Sequence, residues 1–434
     1  MRDILLTLIV AGLVPMALFR PYIGACLWAW ISIMNPHTLT FGFAKGLPWA
    51  LLAAGVTLIA FAFNSRRRYP LPWSAGTACV LGLMVWMTVT SVFSLNGQTE
   101  VWDRWTFVMK ILVMLLVTLM LIRGRKQIEL LVWVIVGSVG IFGVKGGLWT
   151  LLTGGGSRVW GPPGGMMADN NSIAIGLVIV LPWMYYLRVI SKNRWAKRGL
   201  AAAMVLTVFA ILGTQSRGAL LALLFMALML GLKSKHAVLT SLALGILMFL
   251  ATAFMPDSWS TRMNTIGGYS DDSSAMSRLW TWQTLWNLAI DRPLVGGGFR
   301  SDSLQVFSAY SPIEGRGSFG QSIYVAHSIY FQALGEHGFP GLFLYLGIGL
   351  WSWFAAARLG RETTGHPEYG DWVPLLMRMC QVSLAGFAVG GAFLSLMALD
   401  LPYYIFAVVV LVRASITAKS AQPEQLIAPK MALR

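Results

Sequence analysis

The sequence predicts an all-α, polytopic membrane protein, and three observations lead there. Of the residues, 56% are apolar and only 12% charged, against about 25% charged in soluble domains, and the mean hydropathy is +0.66. Apolar runs near the length that crosses a bilayer, about 20 residues, recur along the chain. The charges between them sit in short basic clusters, the pattern that orients membrane proteins. A formal charge of +16 would suit nucleic acid if it were spread over one face, but clusters between apolar runs exclude that partner.

The first element is the least regular. Residues 4–34 hold either two short spans or one run broken at Arg20-Pro21. Further spans are expected at about 47–63, 73–93, 106–122, 128–151, 172–189, 199–213, 217–232, 237–255, 340–357, 373–394 and 398–412. Arg66-Arg67-Arg68, Arg123 with Arg125 and Lys126, the Arg188–Arg198 group, Lys233 with Lys235, Arg358 with Arg361, and Arg413 with Lys419 belong on the cytoplasmic side. With Met1 on that side too, residues 4–34 count as one net crossing. That gives twelve spans, with a long outer segment between the ninth and tenth. The expected units are a bundle over 1–255, an outer loop domain over 256–326, a second bundle over 327–415 and a cytoplasmic tail over 416–434. Cys26, Cys79 and Cys380 fall inside apolar runs, where a small hydrophobe is the simplest reading and a disulfide is not expected.

Segments 94–105, 152–171, 213–217 and 256–326 then share the outer face. They carry Arg104, Arg158, Arg217, Arg262, Arg278, Arg292, Arg300 and Arg316, while Lys45 is the one outer-loop lysine. Cations on the outer face oppose the orientation rule, and a polyanionic ligand would compensate, because a guanidinium binds phosphate oxygens in pairs. The bland alternative is pairing with outer acids such as Asp169, Asp291 and Asp302. Arg217 is the exception: its tight turn between two short spans leaves it at the membrane boundary, where a cation marks a pathway or a partner. Arg158 lies in a Gly- and Pro-rich loop, Gly154 to Gly165, ahead of Asp169-Asn170-Asn171-Ser172, which reads as a helix cap.

The long outer segment has its own helix. Over Met276–Ile290, Leu279, Trp282, Leu285, Trp286 and Ala289 recur at helical spacing, so an amphipathic helix should pack on the bundle or the membrane surface. The segment ends in His327-Ser328, nine residues, then Gly338-Phe339-Pro340-Gly341 opening an apolar span.

That last pattern resembles the signature of the O-antigen ligase family: a His followed by Asn, Ser or Gln, nine residues, then Gly-x-x-Gly. Ser216-Arg217-Gly218-Ala219 at a span boundary and Arg292-Pro293-Leu294-Val295-Gly296-Gly297-Gly298 in the long loop are similar to the same family and to its relatives, the O-antigen polymerases and bacterial O-oligosaccharyltransferases. The resemblance covers about residues 155–400. It implies transfer of a glycan from undecaprenyl diphosphate to a hydroxyl of lipid A-core, with inversion and without metal or cofactor, on the periplasmic side of the bacterial inner membrane. His327 would take the acceptor proton, while Arg217 with Arg158, Arg278 or Arg292 would hold the leaving diphosphate. His337, beside Glu336, is the rival base. A protein O-oligosaccharyltransferase or a polysaccharide polymerase would share donor and arginines and differ in acceptor. A lipid-linked glycan transporter would more readily show internal repeats and charges near the midplane, and no repeat is evident.

Overall fold

The computed structural model describes residues 1–233, 237–264, 273–312 and 323–420. Within them every regular element is a helix: α1 (Arg2–Phe19), α2 (Pro21–Met34), α3 (Trp49–Phe63), α4 (Ala75–Val92), α5 (Gln98–Leu121), α6 (Gly124–Leu152), α7 (Asn170–Ile190), α8 (Arg194–Gly213), α9 (Arg217–Leu232), α10 (Ala237–Ala253), α11 (Asp257–Asn264), α12 (Ser273–Asp291), α13 (Leu304–Tyr310), α14 (Ile329–Thr363), α15 (Trp372–Gly391) and α16 (Asp400–Ser420), with short 3-10 turns at 36–39, 43–46 and 65–67. Among the described residues nine of these are long and apolar enough to cross a membrane, and α2, α3 and α9 are shorter apolar helices.

Short polar residues start the helices where the sequence supplies them. Ser74, Asp169, Asn193, Ser216, Ser303 and Ser328 each accept a backbone N–H of the following turn. At the centre lie α7 and α15, whose apolar windows are 78% and 83% buried. They approach closely because Gly390 of α15 faces Ile175 of α7, where an added Cβ would come within 2.2 Å of a methyl.

The path of the first residues departs from the single crossing expected over 4–34. The chain turns at Arg20-Pro21 into a second helix. The Asp3 carboxylate accepts the N–H groups of Gly42 and Ala44 at 2.9 and 3.1 Å. At the other end of the pair, Asn64 Nδ2 reaches the carbonyl of Leu18 at 3.0 Å. Met1 therefore lies at the same end as the 35–48 connection, away from the basic cluster at 66–68, and the parity behind twelve spans does not hold for this path.

The basic clusters gather at that far end. Arg67 donates to the carbonyl of Phe19, Arg123 to Pro70 at 3.2 Å, Arg413 to Trp73 at 3.4 Å and Lys233 to Gln381 at 2.7 Å. The four segments expected on the outer face meet at the near end. Leu95 N–H donates to Gly297 O at 3.0 Å and Val159 N–H to Gly213 O at 3.0 Å, while the Trp259 indole donates to Leu212 O at 3.1 Å. The expected amphipathic helix is present as α12, and it packs on the bundle. Leu285, Leu288 and Ala289 are buried, while Leu279 and Trp286 stay exposed. The Trp282 indole lies flat on Phe331 of α14, with centroids 5.1 Å apart and planes 8° from parallel.

Candidate functional site

His327 sits in the turn that leads into α14, and its backbone is forced. Its φ is +45°, a left-handed conformation that costs a non-glycine residue about 1–3 kcal/mol and persists only where neighbours fix it. Three bonds do so. The His327 N–H donates to Ser395 Oγ at 2.8 Å, the Trp282 indole donates to the carbonyl of Ala326 at 2.7 Å, and Ser328 caps α14 by accepting from Phe331 N–H at 3.5 Å. The half-buried imidazole keeps a buried Nδ1 with no hydrogen-bond partner. Burial, and next the positive charge of Arg278, hold its pKa below the ordinary 6.5, with Asp169 pulling the other way. The ring is thus neutral near pH 7 and free to take a proton.

Asp169 shows how a second loop is brought to this point. Its carboxylate caps α7, accepting Asn171 and Ser172 N–H at 2.9 and 3.0 Å, as the sequence pattern suggested. Asn170 does something else: its amide donates to the carbonyl of Thr214 at 2.8 Å, tying the cap to the turn before Arg217. That turn is itself strained, with Gln215 at φ +56°. The Gln215 side chain accepts from Arg158 Nε at 3.2 Å and donates to Gly155 O at 3.4 Å. Arg217 opens α9 just behind the Ser216 cap, and the next residue, Gly218, lies against Phe393, where a Cβ would meet another Cβ at 3.1 Å. The segment 392–399 therefore touches the start of α9 on one side and holds the His327 turn through Ser395 on the other. A helix start attracts anions through its unpaired N–H groups and dipole, and Arg217 adds a full charge at that place.

The structure thus puts His327 within electrostatic reach of Arg278 and Asp169, and joins Arg158 to the Arg217 turn through Gln215. Arg158 also lines a groove of about 790 Å³ with Arg2, Lys145, Phe142, Trp149 and Trp160, a mostly apolar lining that includes three cations. Arg292 is placed elsewhere, donating to the carbonyl of Phe93 at 2.5 Å. The glycine-rich run after it is a wedge in the break of α14. Gly297 accepts from Leu95 N–H and Ser94 Oγ and donates to Gly335 O, the last at 2.8 Å, while Phe339 N–H donates to Pro293 O at 2.9 Å. Gly338, at φ +66°, makes the break, and a Cβ there would fall 2.3 Å from Leu294 O.

His337 lies inside that break with none of its surface exposed. Its Nδ1 is 2.8 Å from Thr90 Oγ1, its ring meets Phe299 edge to face with centroids 4.6 Å apart, and its carbonyl accepts from the Trp86 indole at 2.9 Å. Such enclosure fits a side chain that locks α14 to α4. Arg316 lies outside the described residues, as does the side chain of Arg262. Among the described residues there is no group of three or more His, Cys, Asp or Glu that could hold a metal ion.

Sequence reasoning had no means of finding Ser395, which stands within an apolar stretch, or Gln215, a lone amide. Asp169 was visible as a cap and as one of the outer acids.

With this geometry in place, comparison with known families adds two matches. Residues 202–346 match the family described as O-Antigen ligase, and residues 1–192 match a family of unknown function, DUF5935. The first match spans Arg217, Arg278, Arg292, His327 and His337; Arg158 falls in the second. No curated protein matches the chain.

Proposed function

We propose that this chain, whose residues 202–346 match the O-antigen ligase family, is a glycosyltransferase that moves a glycan from undecaprenyl diphosphate to a hydroxyl of lipid A-core. The reaction takes place at the end of the bundle that holds His327, on the periplasmic side of the bacterial inner membrane. The observation that carries this reading is a neutral imidazole in a strained, fastened turn within electrostatic reach of Arg278.

The chemistry follows from those groups. The acceptor hydroxyl gives its proton to the His327 imidazole as its oxygen attacks the anomeric carbon. The bond from that carbon to the diphosphate oxygen breaks, and the electron pair leaves with the diphosphate, so attack from the opposite face inverts the anomeric centre. Arg278 and Arg217, with Arg158 behind Gln215, face the charge that grows on the leaving group, where fixed cations lower the barrier most. The imidazolium then returns its proton to water. The groove along α6, mostly apolar with Arg158 and Lys145 in its lining, suits a polyprenyl chain and its diphosphate. Arg292, engaged with Phe93, contributes to the scaffold.

The test uses purified full-length protein in lipid nanodiscs, an undecaprenyl-diphosphate glycan, and three acceptors offered separately: lipid A-core, an acceptor peptide, and a second lipid-linked glycan. Glycosylated lipid A-core by mass spectrometry is the expected result. Transfer only to peptide or to lipid-linked glycan would make the protein an oligosaccharyltransferase or a polymerase, and no donor consumption with any acceptor would overturn the reading.

A further inference from the structure

A second cavity adjoins the His327 turn. It measures about 200 Å³ and is lined by Arg104, Arg300, Asp302, Glu336, Gln332 and Ser395. Val325 and Ala326 form its wall next to His327, and Ser395 is the residue that accepts the His327 N–H. The cavity thus shares a wall with the turn that carries the base.

Its charges are unusually left to themselves. Glu336 is only 6% exposed, and its oxygens meet the backbone N–H of Arg300 and the Gln332 amide, both at 3.4 Å, with His337 Nε2 at 3.8 Å. The Arg104 guanidinium rests over Phe107, 5.1 Å from the ring centroid. Among the described residues neither Arg104 nor Arg300 forms an ion pair with Asp302 or Glu336, although both arginines act on Asp302 electrostatically. Arg300 is also held at φ +64°, a second strained residue a few positions from the first cavity wall. Two cations and two carboxylates thus line one small, half-open cavity without pairing with one another, an arrangement that a ligand carrying both an acid group and hydroxyls would answer.

The complement of this set is specific. Guanidiniums call for a carboxylate or phosphate, which they bind in pairs. Carboxylates call for neutral donors, and adjacent hydroxyls of a sugar supply them in a fork. One ligand carrying both is an acidic sugar, and about 200 Å³ is room for a single ring with its substituents. We propose that this cavity seats one acidic sugar unit of the acceptor, a saccharide bearing a carboxylate or a phosphate. The inference rests on the transfer reading for the word acceptor. Neither Arg278 nor the Arg217 turn is in the cavity's lining, which leaves those cations to the donor.

Binding is measured on the full-length protein in nanodiscs by calorimetry, with glucose, glucuronate and glucose 6-phosphate as probes, for wild type, Arg104→Gln and Asp302→Asn. The wild type should bind at least one anionic sugar tenfold or more tighter than glucose. The choice between glucuronate and glucose 6-phosphate names the acidic group. Arg104→Gln should abolish the preference, while Asp302→Asn should weaken all three probes together. Equal binding of the three by wild type, or an unchanged preference in Arg104→Gln, would overturn the proposal. In the transfer assay Arg104→Gln should raise the acceptor KM severalfold with kcat little changed. Preferential binding of an acidic sugar by a protein that transfers nothing would uphold the pocket and remove the transferase reading, so the two fail separately.

Discussion

The backbone N–H of His327 donates to the hydroxyl of Ser395 at 2.8 Å, so the turn that presents the imidazole is fastened to the connection between α15 and α16. Ser395→Ala leaves that N–H without its acceptor, at about 1–3 kcal/mol, and frees a turn held at φ +45°. We expect kcat for transfer to fall between about tenfold and a hundredfold, as a misplaced base does, with the substrate KM values near wild type. Steady-state kinetics in nanodiscs check the split.

The acid limb of the rate profile should report His327. Burial and Arg278 favour the neutral ring, so its pKa lies below 6.5, and kcat/KM should be level near neutrality and fall only as the pH drops below that value. Arg278→Gln removes a charge that repels the imidazolium, so the imidazolium persists to higher pH and the acid limb moves up. Asp169→Asn removes a charge that favours the imidazolium, and the limb moves down; asparagine still caps α7. A limb unmoved by both substitutions would separate His327 from the titration.

His337 should matter for stability. It is fully buried with Thr90 at 2.8 Å, so His337→Ala opens a cavity, at about 2–5 kcal/mol, while the Thr90 hydroxyl keeps the Met87 carbonyl at 3.1 Å. Thr90→Val keeps the shape and should cost about 1–2 kcal/mol with transfer per folded molecule unchanged. Thermal melting alongside the transfer assay distinguishes this from a role in chemistry, for which Thr90→Val would slow turnover without lowering the melting temperature.

The wedge in α14 gives a backbone prediction. Gly338→Ala places a Cβ 2.3 Å from Leu294 O at φ +66°, and Gly296→Ala one 2.5 Å from Gly335 O at φ +59°. Each should lower stability by more than about 1–3 kcal/mol, the cost of the strained conformation alone. The double variant should cost less than the sum, because both loosen the same contact. Melting temperatures of the four proteins close the cycle.

Much of the architecture could be read in advance because bilayer spans announce themselves by length and apolarity. Segments 94–105, 152–171 and 213–217 and the start of the 256–326 stretch meet others of their group at one end, and the groups at 66–68, 123–126 and 413 lie at the other. The start of the chain misled for a physical reason. Helices α2 and α3 have only 14 and 15 residues, short of a full crossing, and charge parity then forced residues 4–34 into one pass. The pattern His327-Ser328 to Gly338-Phe339-Pro340-Gly341 located the turn and the helix break, because a proline and a glycine with positive φ leave a trace in sequence. It did not separate the two histidines, since burial of His337 depends on Thr90 and Phe299, far away in the chain. Arg278 and Arg292 looked alike as outer arginines, and only the fold sends one to His327 and the other to the Phe93 carbonyl. The cavity of Arg104, Arg300, Asp302 and Glu336 draws on three separate segments and has no signature in any of them.

The most direct measurement is the rate of glycan transfer to lipid A-core by His327→Ala, in protein whose melting temperature matches wild type. Loss of the general base should lower the rate by about 10²–10⁴-fold, with donor binding retained through the arginines. A rate within about threefold of wild type, below the smallest effect expected of a positioned base, would contradict the assignment of His327 as the base.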